Sequence, residues 1–82
     1  MYDVIFSDRA SLQFKKLENI TQQRIINALE RIKTRPTAYL KKLVGDPAWR
    51  LKVGDYRVIV DLNQNQLQIL VIEVGHRKNI YL

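Results

Sequence analysis

The first part of the chain combines a short apolar run with a stretch of helical periodicity. Residues 2–6, with the sequence YDVIF, predict a strand, and Ser7 is a suitable N-cap for a helix that follows. From Asp8 to about Leu17, apolar side chains recur at the three- to four-residue spacing of a helix. The pattern therefore predicts a strand followed directly by a first helix.

A second helix is predicted after the polar break at residues 18–21. Asn19 or Thr21 can cap it, and its apolar stripe comprises four residues: Ile25, Ile26, Leu29 and Ile32. The helix ends before Pro36, because the residue that precedes a proline avoids the helical region of backbone space. The short link between the two helices makes them a helical hairpin.

The last third of the chain predicts three strands separated by two turns. The runs AWRLKV, YRVIVDL and LQILVIEVG are rich in β-branched residues. Gly54-Asp55 separates the first two runs, and a turn centred on Gln64-Asn65 separates the second and third. Residues 37–48 show little periodicity and predict a loop, with Leu40 and Leu43 tucked beneath it.

The order of these elements is β-α-α-β-β-β, which predicts an α+β fold. In this fold an antiparallel sheet carries the N-terminal helical hairpin packed on one face. The 82 residues are enough for one domain and not for two, so we expect a single domain over residues 1–82.

Alternation along the three strands sorts their side chains onto two faces. A two-residue turn at Gly54-Asp55 places Lys52 opposite Arg57. One face is continuously apolar and must be covered by the helices: Leu51, Val53, Val58, Val60, Leu62, Leu67, Ile69 and Val71. The other face mixes polar with apolar side chains: Arg50, Lys52, Arg57, Asp61, Gln68, Ile59, Leu70, Ile72 and Val74. A face that is half apolar and half cationic indicates a binding surface.

The end of the last strand does not fit strict alternation. By alternation His76 lies on the cationic face and Arg77 on the helix face, where a charged side chain is unfavourable. A bulge at Gly75 would turn Arg77 to the cationic face, and we predict one there.

The charge balance narrows the classes of partner. Fourteen Lys and Arg against eight Asp and Glu give a net charge of +6, which favours nucleic acid or an acidic protein as partner. The absence of cysteine excludes disulfides, thiolate catalysis and Cys-based zinc sites, and one histidine cannot build a His-rich metal site. We therefore expect no metal and no cofactor. No apolar run is long enough to span a bilayer and no cleavage signal is present, so a cytoplasmic protein without a membrane partner is expected.

Two motifs connect the chain to a known family. WRLKVGDYRVIV, followed in the last strand by VGHRKNIY, resembles the RelE branch of the RelE/ParE toxin superfamily, the toxins of type II toxin–antitoxin modules. The resemblance implies a ribosome-dependent mRNA endoribonuclease that cleaves codons in the A site and so inhibits translation. In this reaction the RNA 2′-hydroxyl is the nucleophile and no metal takes part. The resemblance also implies three partners, namely the ribosome, mRNA and a cognate antitoxin, with which the toxin can form a heterotetramer.

The family's functional residues match individual positions of this chain. Its basic pair before the hairpin turn matches Arg50 and Lys52, and the arginine of its Tyr-Arg pair matches Arg57. The arginine after the Val-Gly of the last strand matches Arg77, and the aromatic residue beyond it matches Tyr81. The first basic position is lysine in the best-known members, whereas the guanidinium of Arg50 can act there only as a charge.

Cleavage by internal attack needs a base for the 2′-proton, stabilisation of the charged phosphorane and an acid for the departing 5′-oxygen. Lys52 is the candidate base, because the neighbouring Arg50 and Arg57 disfavour its charged form. Arg57 can bind the phosphate through two parallel hydrogen bonds, and Arg77 can stabilise the transition state or serve the leaving oxygen. Tyr81 can stack on a base and hold the nucleotide in line.

Further candidate residues lie around this set. His76 is a second acid–base candidate and a candidate RNA contact, although a structural hydrogen-bonding role is the commoner one for such a residue. Three lysines are candidate contacts to RNA phosphates: Lys41, Lys42 and Lys78.

Plainer explanations exist for the central cations. Arg50 and Lys52 can be solvated strand residues, and Arg57 can form a surface ion pair with Asp61 or Glu73. Two other functions fit the same fold, a ParE-like DNA gyrase inhibitor and an inactive relative that retains only antitoxin binding. The fold alone cannot separate these functions from ribonuclease activity, so the site must.

Overall fold

The computed structural model describes residues 1–80 and contains a five-stranded sheet with helices on one face. Its elements are β1 (Asp3–Phe6), α1 (Asp8–Lys15), α2 (Asn19–Ile32), α3 (Pro36–Tyr39), β2 (Lys41–Lys42), β3 (Trp49–Val53), β4 (Tyr56–Asn63) and β5 (Gln68–His76). The strand order is β1-β5-β4-β3-β2. β1 is parallel to β5 and the other neighbours are antiparallel. The predicted α+β class is confirmed, with a mixed sheet in place of a wholly antiparallel one.

The caps of the first two helices differ in kind. The Oγ of Ser7 accepts a hydrogen bond from the N–H of Ala10 at 3.0 Å, which confirms the predicted N-cap of α1. α2 begins at Asn19, and the residue in its N-cap position, Glu18, makes no side-chain capping bond. The prediction that Asn19 or Thr21 caps α2 is therefore wrong.

A tertiary contact ties the start of α2 to the end of α1. The side-chain amide of Gln22 donates to the carbonyl of Phe14 at 2.9 Å. The same carbonyl, at the C-terminal end of α1, also accepts the backbone N–H of Leu17 at 3.1 Å, so Gln22 adds a second donor to it.

The segment predicted as a loop contains two short elements. Pro36 starts α3, because its fixed φ suits the first helical position, and its carbonyl accepts the N–H of Leu40 at 3.0 Å. β2 follows and adds two residues to the edge of β3. Leu40 is buried in the main core as expected, and Leu43 packs against a second, smaller cluster.

The main core lies between the helices and one face of the sheet. α1 and α2 contribute Ala10, Ile25, Ala28, Leu29 and Ile32, and the strands contribute Leu51, Val58, Val60, Ile69, Val71 and Val74. Ile26, predicted within the stripe of α2, is 37% exposed. No helix among residues 1–80 is long and apolar enough to cross a membrane.

The hairpin of β3 and β4 has the predicted register. Lys52 lies opposite Arg57, and Val53 lies opposite Tyr56. Gly54 has a φ of +58°, and a type II′ turn requires a positive φ at the first of its two central residues. This requirement explains why glycine precedes aspartate in the turn.

The hairpin of β4 and β5 has a wider turn than predicted. Asn63 pairs with Gln68, which leaves four residues in the turn, and the side-chain oxygen of Asn63 accepts the N–H of Gln66 at 3.0 Å. Leu67 adopts a φ of +53° at the end of this turn and is 44% exposed. Its predicted place in the apolar face is therefore wrong.

A bulge in β5 changes the face of every residue after it. Val60 pairs with Val71 and Ile59 pairs with Glu73, so Ile72 is the extra residue on β5. Val74 consequently lies in the main core, not on the cationic face as predicted. The predicted bulge exists, but it lies three residues before Gly75.

Candidate functional site

Four cations from three strands share the sheet face that the helices leave uncovered, here called the open face. Register places Lys41 opposite Arg50 and Lys52 opposite Arg57. Because side chains alternate along a strand, Arg50 and Lys52 of β3 project from the same side. The four residues are called the cationic patch below: Lys41, Arg50, Lys52 and Arg57.

Hydrogen bonds to the hairpin turn hold the guanidinium of Arg57. Its Nη1 donates to the carbonyls of Gly54 and Tyr56, each at 2.9 Å. These contacts offset part of its repulsion with Lys52 across the hairpin. A guanidinium has five N–H donors, so others remain for an anion.

The cationic patch is not neutralised by the acidic residues of the chain. Within residues 1–80, none of its four side chains has a carboxylate oxygen within 4.0 Å. Glu73, a suggested partner of Arg57, instead contacts Arg9 of α1 at 2.7 Å. A surface ion pair therefore does not account for Arg57 in the part of the chain that the structure describes.

Two arginines of α2 extend the positive surface beyond the strands. Arg24 and Arg31 line an open groove of about 390 Å³ together with Lys52. Sequence reasoning missed both arginines. They are seven residues apart, which is two helical turns, so both lie on one side of α2. This spacing is the feature of the sequence from which they could have been predicted to share a surface.

Arg77 lies at the same end of the sheet, next to the β3–β4 turn. Its backbone N–H donates to the carbonyl of Asp55 at 2.8 Å, and its Nη1 lies 3.9 Å from Oδ1 of that residue. Because the carboxylate is distant and both side chains are more than half exposed, this ion pair contributes little to stability. The backbone bond fixes where Arg77 leaves the sheet.

Residues 77–80, which follow β5, fold back over the open face. Ile80 packs against Gly75, where a Cβ atom would lie 3.1 Å from Cγ1 of Ile80. Ile80 thereby joins the second apolar cluster, with Ala48 and Ile59. Gly75 is needed for this close approach and not for the bulge that we predicted at its position.

His76 lies on the helix face, so its predicted place on the cationic face is wrong. It pairs with Tyr56, whose ring it meets edge-on at 5.4 Å, and the bulge at Ile72 is the cause of the change of face. Its Nδ1 accepts the backbone N–H of Lys78 at 3.2 Å. A neutral imidazole in this arrangement carries its proton on Nε2, which makes that nitrogen a donor and not a base.

The remaining predicted lysines are divided between different surfaces. Lys42 pairs with Trp49 on the helix side of the sheet, and its Nζ lies 5.2 Å from the indole centroid and contacts the carbonyl of Pro47. Lys42 is thus separated from Lys41, which belongs to the cationic patch. Lys78 is exposed in the turn after β5. Tyr81 lies outside the described residues.

Residues 1–80 contain no group of three or more His, Cys, Asp or Glu side chains arranged to hold a metal ion. The cationic patch itself offers positive charge and hydrogen-bond donors. Such a surface can bind phosphate groups and stabilise additional negative charge on them.

Comparison with known protein families shows which family the chain belongs to. The family model of the ParE toxin of type II toxin–antitoxin systems, parDE, matches residues 4–81. The chain belongs to the RelE/ParE toxin superfamily. No curated protein sequence matches it significantly.

Solved structures of RelE toxins share the fold of this superfamily member. The intact E. coli RelBE toxin–antitoxin complex contains a chain that matches with a TM-score of 0.82 at 25% identity, over 93% of this chain and 96% of that one. The RelBE2 complex of Mycobacterium tuberculosis matches with a TM-score of 0.85 at 20% identity, over 93% and 98% of the two chains. The archaeal RelE–RelB complex of Pyrococcus horikoshii OT3 matches with a TM-score of 0.81 at 21% identity, over 96% and 98%. The resemblance to the RelE branch is confirmed.

Proposed function

We propose that this toxin is a ribosome-dependent mRNA endoribonuclease that cleaves codons in the A site. The observation that supports the proposal is the cationic patch, whose four side chains face solvent on one sheet surface with no carboxylate within 4.0 Å among residues 1–80. Such a surface has unused capacity for the phosphates of an RNA strand.

The proposed reaction is attack of the RNA 2′-hydroxyl on the adjacent phosphorus. Lys52 takes the 2′-proton, and Arg57 binds the phosphate oxygens with the donors that the turn carbonyls do not occupy. Arg77 stabilises the charge that develops on the phosphorane or on the 5′-oxygen as the bond from phosphorus to that oxygen breaks. The 5′-oxygen then takes a proton from water, and a 2′,3′-cyclic phosphate is left on the other fragment. In this scheme Arg50 and Lys41 bind neighbouring phosphates as fixed charges.

The proposed partners of the toxin are the ribosome with its mRNA and an antitoxin. The sheet supplies charge but few groups that could orient a flexible strand, so the ribosome is proposed to hold the mRNA in the reactive geometry, a contribution that can reach roughly 7–11 kcal/mol. The RelE chains of similar fold are found in complexes with RelB antitoxins. We propose that a cognate antitoxin likewise binds and neutralises this toxin.

The decisive experiment compares two arginine variants in a reconstituted translation system. We expect Arg57→Ala to slow cleavage of ribosome-bound mRNA by about 100-fold or more, the usual effect of removing one transition-state donor. Arg35→Ala removes an exposed arginine at the start of α3 and should leave the rate within about twofold, as for a surface change remote from the site. Equal rates for Arg57→Ala and the parent would refute the proposed role of Arg57, and absence of cleavage by the parent would refute the function.

Inhibition of DNA gyrase is the second candidate, because the family model that matches the chain is that of a ParE toxin. A supercoiling assay with purified gyrase separates it from the first. Arrest of supercoiling, with ribosome-bound mRNA left intact at the same toxin concentration, would establish the second candidate over the first.

A further inference from the structure

A cleft of about 400 Å³ opens on the apolar half of the open face. Its apolar lining comprises Leu43, Val44 and Ile72, which are at least partly exposed, and the buried residues Ala48 and Ile59. Three charged residues line it as well: Arg9, Asp46 and Glu73. Its volume lies within the range of small-molecule sites, roughly 300–1,000 Å³. None of these residues belongs to the cationic patch or to the roles proposed above.

The cleft lies beside the cationic patch on the open face of the sheet. Ile59 lies two residues beyond Arg57 on β4 and projects from the same face, so their Cα atoms are separated by about 7 Å. Ala48 lies two residues before Arg50 and directly precedes β3. An RNA strand with a phosphate on the patch therefore has this cleft within reach of an attached base.

Existing contacts hold the charged groups of the cleft in place. Nη2 of Arg9 lies 2.7 Å from Oε1 of Glu73, and the Glu73 side chain is 25% exposed. Oδ1 of Asp46 accepts the N–H of Ala48 at 2.8 Å. A carboxylate offers about four acceptor positions and a guanidinium five donors, so each group can bind a further partner.

We propose that this cleft binds a guanine base of the RNA whose phosphate occupies the cationic patch. The proposal rests on the proposed ribonuclease function and adds to it the base that the site accepts. The apolar lining suits the faces of a flat ring, as in other sites where a base is held against side chains.

The charged residues select guanine among the four bases. The carboxylate of Glu73 can accept the N1–H and N2–H of guanine in parallel. Among the four bases, guanine alone presents two adjacent donors on its Watson–Crick edge. Arg9 can donate to the O6 and N7 acceptors of the same base. Cytosine and adenine would leave one carboxylate oxygen without a donor, and uracil would present carbonyl oxygens to it.

The test uses the isolated toxin and mononucleotides, so it does not depend on cleavage. ¹⁵N-labelled protein is titrated with guanosine 3′-monophosphate and, separately, with the adenosine, cytidine and uridine equivalents and with inorganic phosphate. We expect the guanosine nucleotide to shift the amide signals of Ala48, Ile59 and Ile72 and to bind at least about tenfold more tightly than the others, as expected for a bidentate base contact. Inorganic phosphate should shift only signals of the cationic patch.

Glu73→Gln tests the assigned selectivity, because the amide replaces one acceptor with a donor. We expect the preference for guanosine 3′-monophosphate to fall below about twofold, since the contact that discriminates is lost. Glu30→Gln makes the same change on α2, where Glu30 pairs with Lys33, and should keep the preference. The amide spectrum of each variant reports whether the fold is retained.

Equal affinity for the four nucleotides, or a guanine preference that survives Glu73→Gln in the folded variant, would overturn the assignment. Selective binding by a toxin that fails to cleave ribosome-bound mRNA would support the base site and reject the proposed function. Cleavage of ribosome-bound mRNA by a toxin that binds the four nucleotides equally would support the proposed function and reject the base site.

Discussion

Lys52 and Arg57 face each other across the β3–β4 hairpin, an arrangement that is destabilising for like charges on neighbouring strands. Two carbonyls of the turn bind the guanidinium and offset part of that cost. An RNA phosphate between the two side chains would relieve the rest. The opposed pair is thus explained by a ligand better than by folding stability.

Replacement of Lys52 by arginine separates charge from proton transfer. Lys52→Arg keeps the positive charge but cannot lose its proton in the working range, so we expect cleavage of ribosome-bound mRNA to fall by about 100-fold or more. Single-turnover cleavage rates measure the effect. Lys41→Arg makes the same exchange within the cationic patch, and its cleavage rate should stay close to that of the parent.

A parental rate for Lys52→Arg would show that Lys52 acts as an electrostatic contact. The base would then belong to another group. His76 is poorly suited to that role in this structure, since its Nδ1 is occupied by the N–H of Lys78 and it lies on the helix face.

The face on which an individual residue lies could be predicted from the sequence where turn type and strand alternation determine it. The Gly54-Asp55 turn and the alternation of β3 and β4 were sufficient to predict that Arg50, Lys52 and Arg57 share a face. The exposure of Leu67 was missed because the turn after Asn63 is two residues longer than assumed and is held by the Asn63 side chain. Turn length in a polar segment is weakly encoded when several residues can close it.

At the scale of elements, α1 determines the course of β5. The Oγ of Ser7 lies 3.3 Å from the carbonyl of Ile72, the bulge residue, to which it can donate a hydrogen bond. The side-chain oxygen of Gln13 accepts the N–H of Val74 at 2.8 Å. The N-cap side chain of α1 and one side chain within the helix therefore satisfy backbone groups around the bulge, a position where the sheet ladder is interrupted.

This coupling explains why the faces of β5 could not be predicted beyond Val71. The residues that stabilise the bulge lie some sixty positions away, with sequence separations of 65 and 61 for the two hydrogen bonds. Nothing in the sequence around Ile72 indicates an extra residue there. The sequence suggested only that some irregularity must turn Arg77, and Gly75 was the plausible local place for it.

Removal of the Gln13 acceptor should destabilise the fold measurably. Gln13→Ala leaves the partly buried N–H of Val74 without its partner, and we expect the free energy of unfolding to fall by about 1–3 kcal/mol. Urea denaturation followed by circular dichroism measures this. Gln13→Glu retains an acceptor and should lose less, while Gln23→Ala, at an exposed position of α2, should change stability by at most about 0.5 kcal/mol. Equal effects of Gln13→Ala and Gln23→Ala would contradict the coupling.

At the scale of the whole molecule, positive charge accumulates around one end of the sheet. The cationic patch lies on the open face, Arg24 and Arg31 lie beside Lys52, and Arg77 leaves the sheet at the same turn. Lys33, by contrast, is paired with Glu30 on α2. Seven of the fourteen Lys and Arg residues therefore belong to this positive region, which can steer an acidic partner.

We predict that an acidic segment of the proposed antitoxin covers the cationic patch, which makes association sensitive to both salt and local charge. The association rate should fall by about tenfold or more between low and high ionic strength, because screening removes electrostatic steering. Stopped-flow fluorescence of labelled toxin mixed with the proposed antitoxin measures the rate. Lys52→Gln and Lys33→Gln remove the same net charge at different places, so recognition at the patch should make the first slower than the second at low salt. If the two variants associate equally fast, or if salt has no effect on the parent, the antitoxin approaches the toxin by another surface.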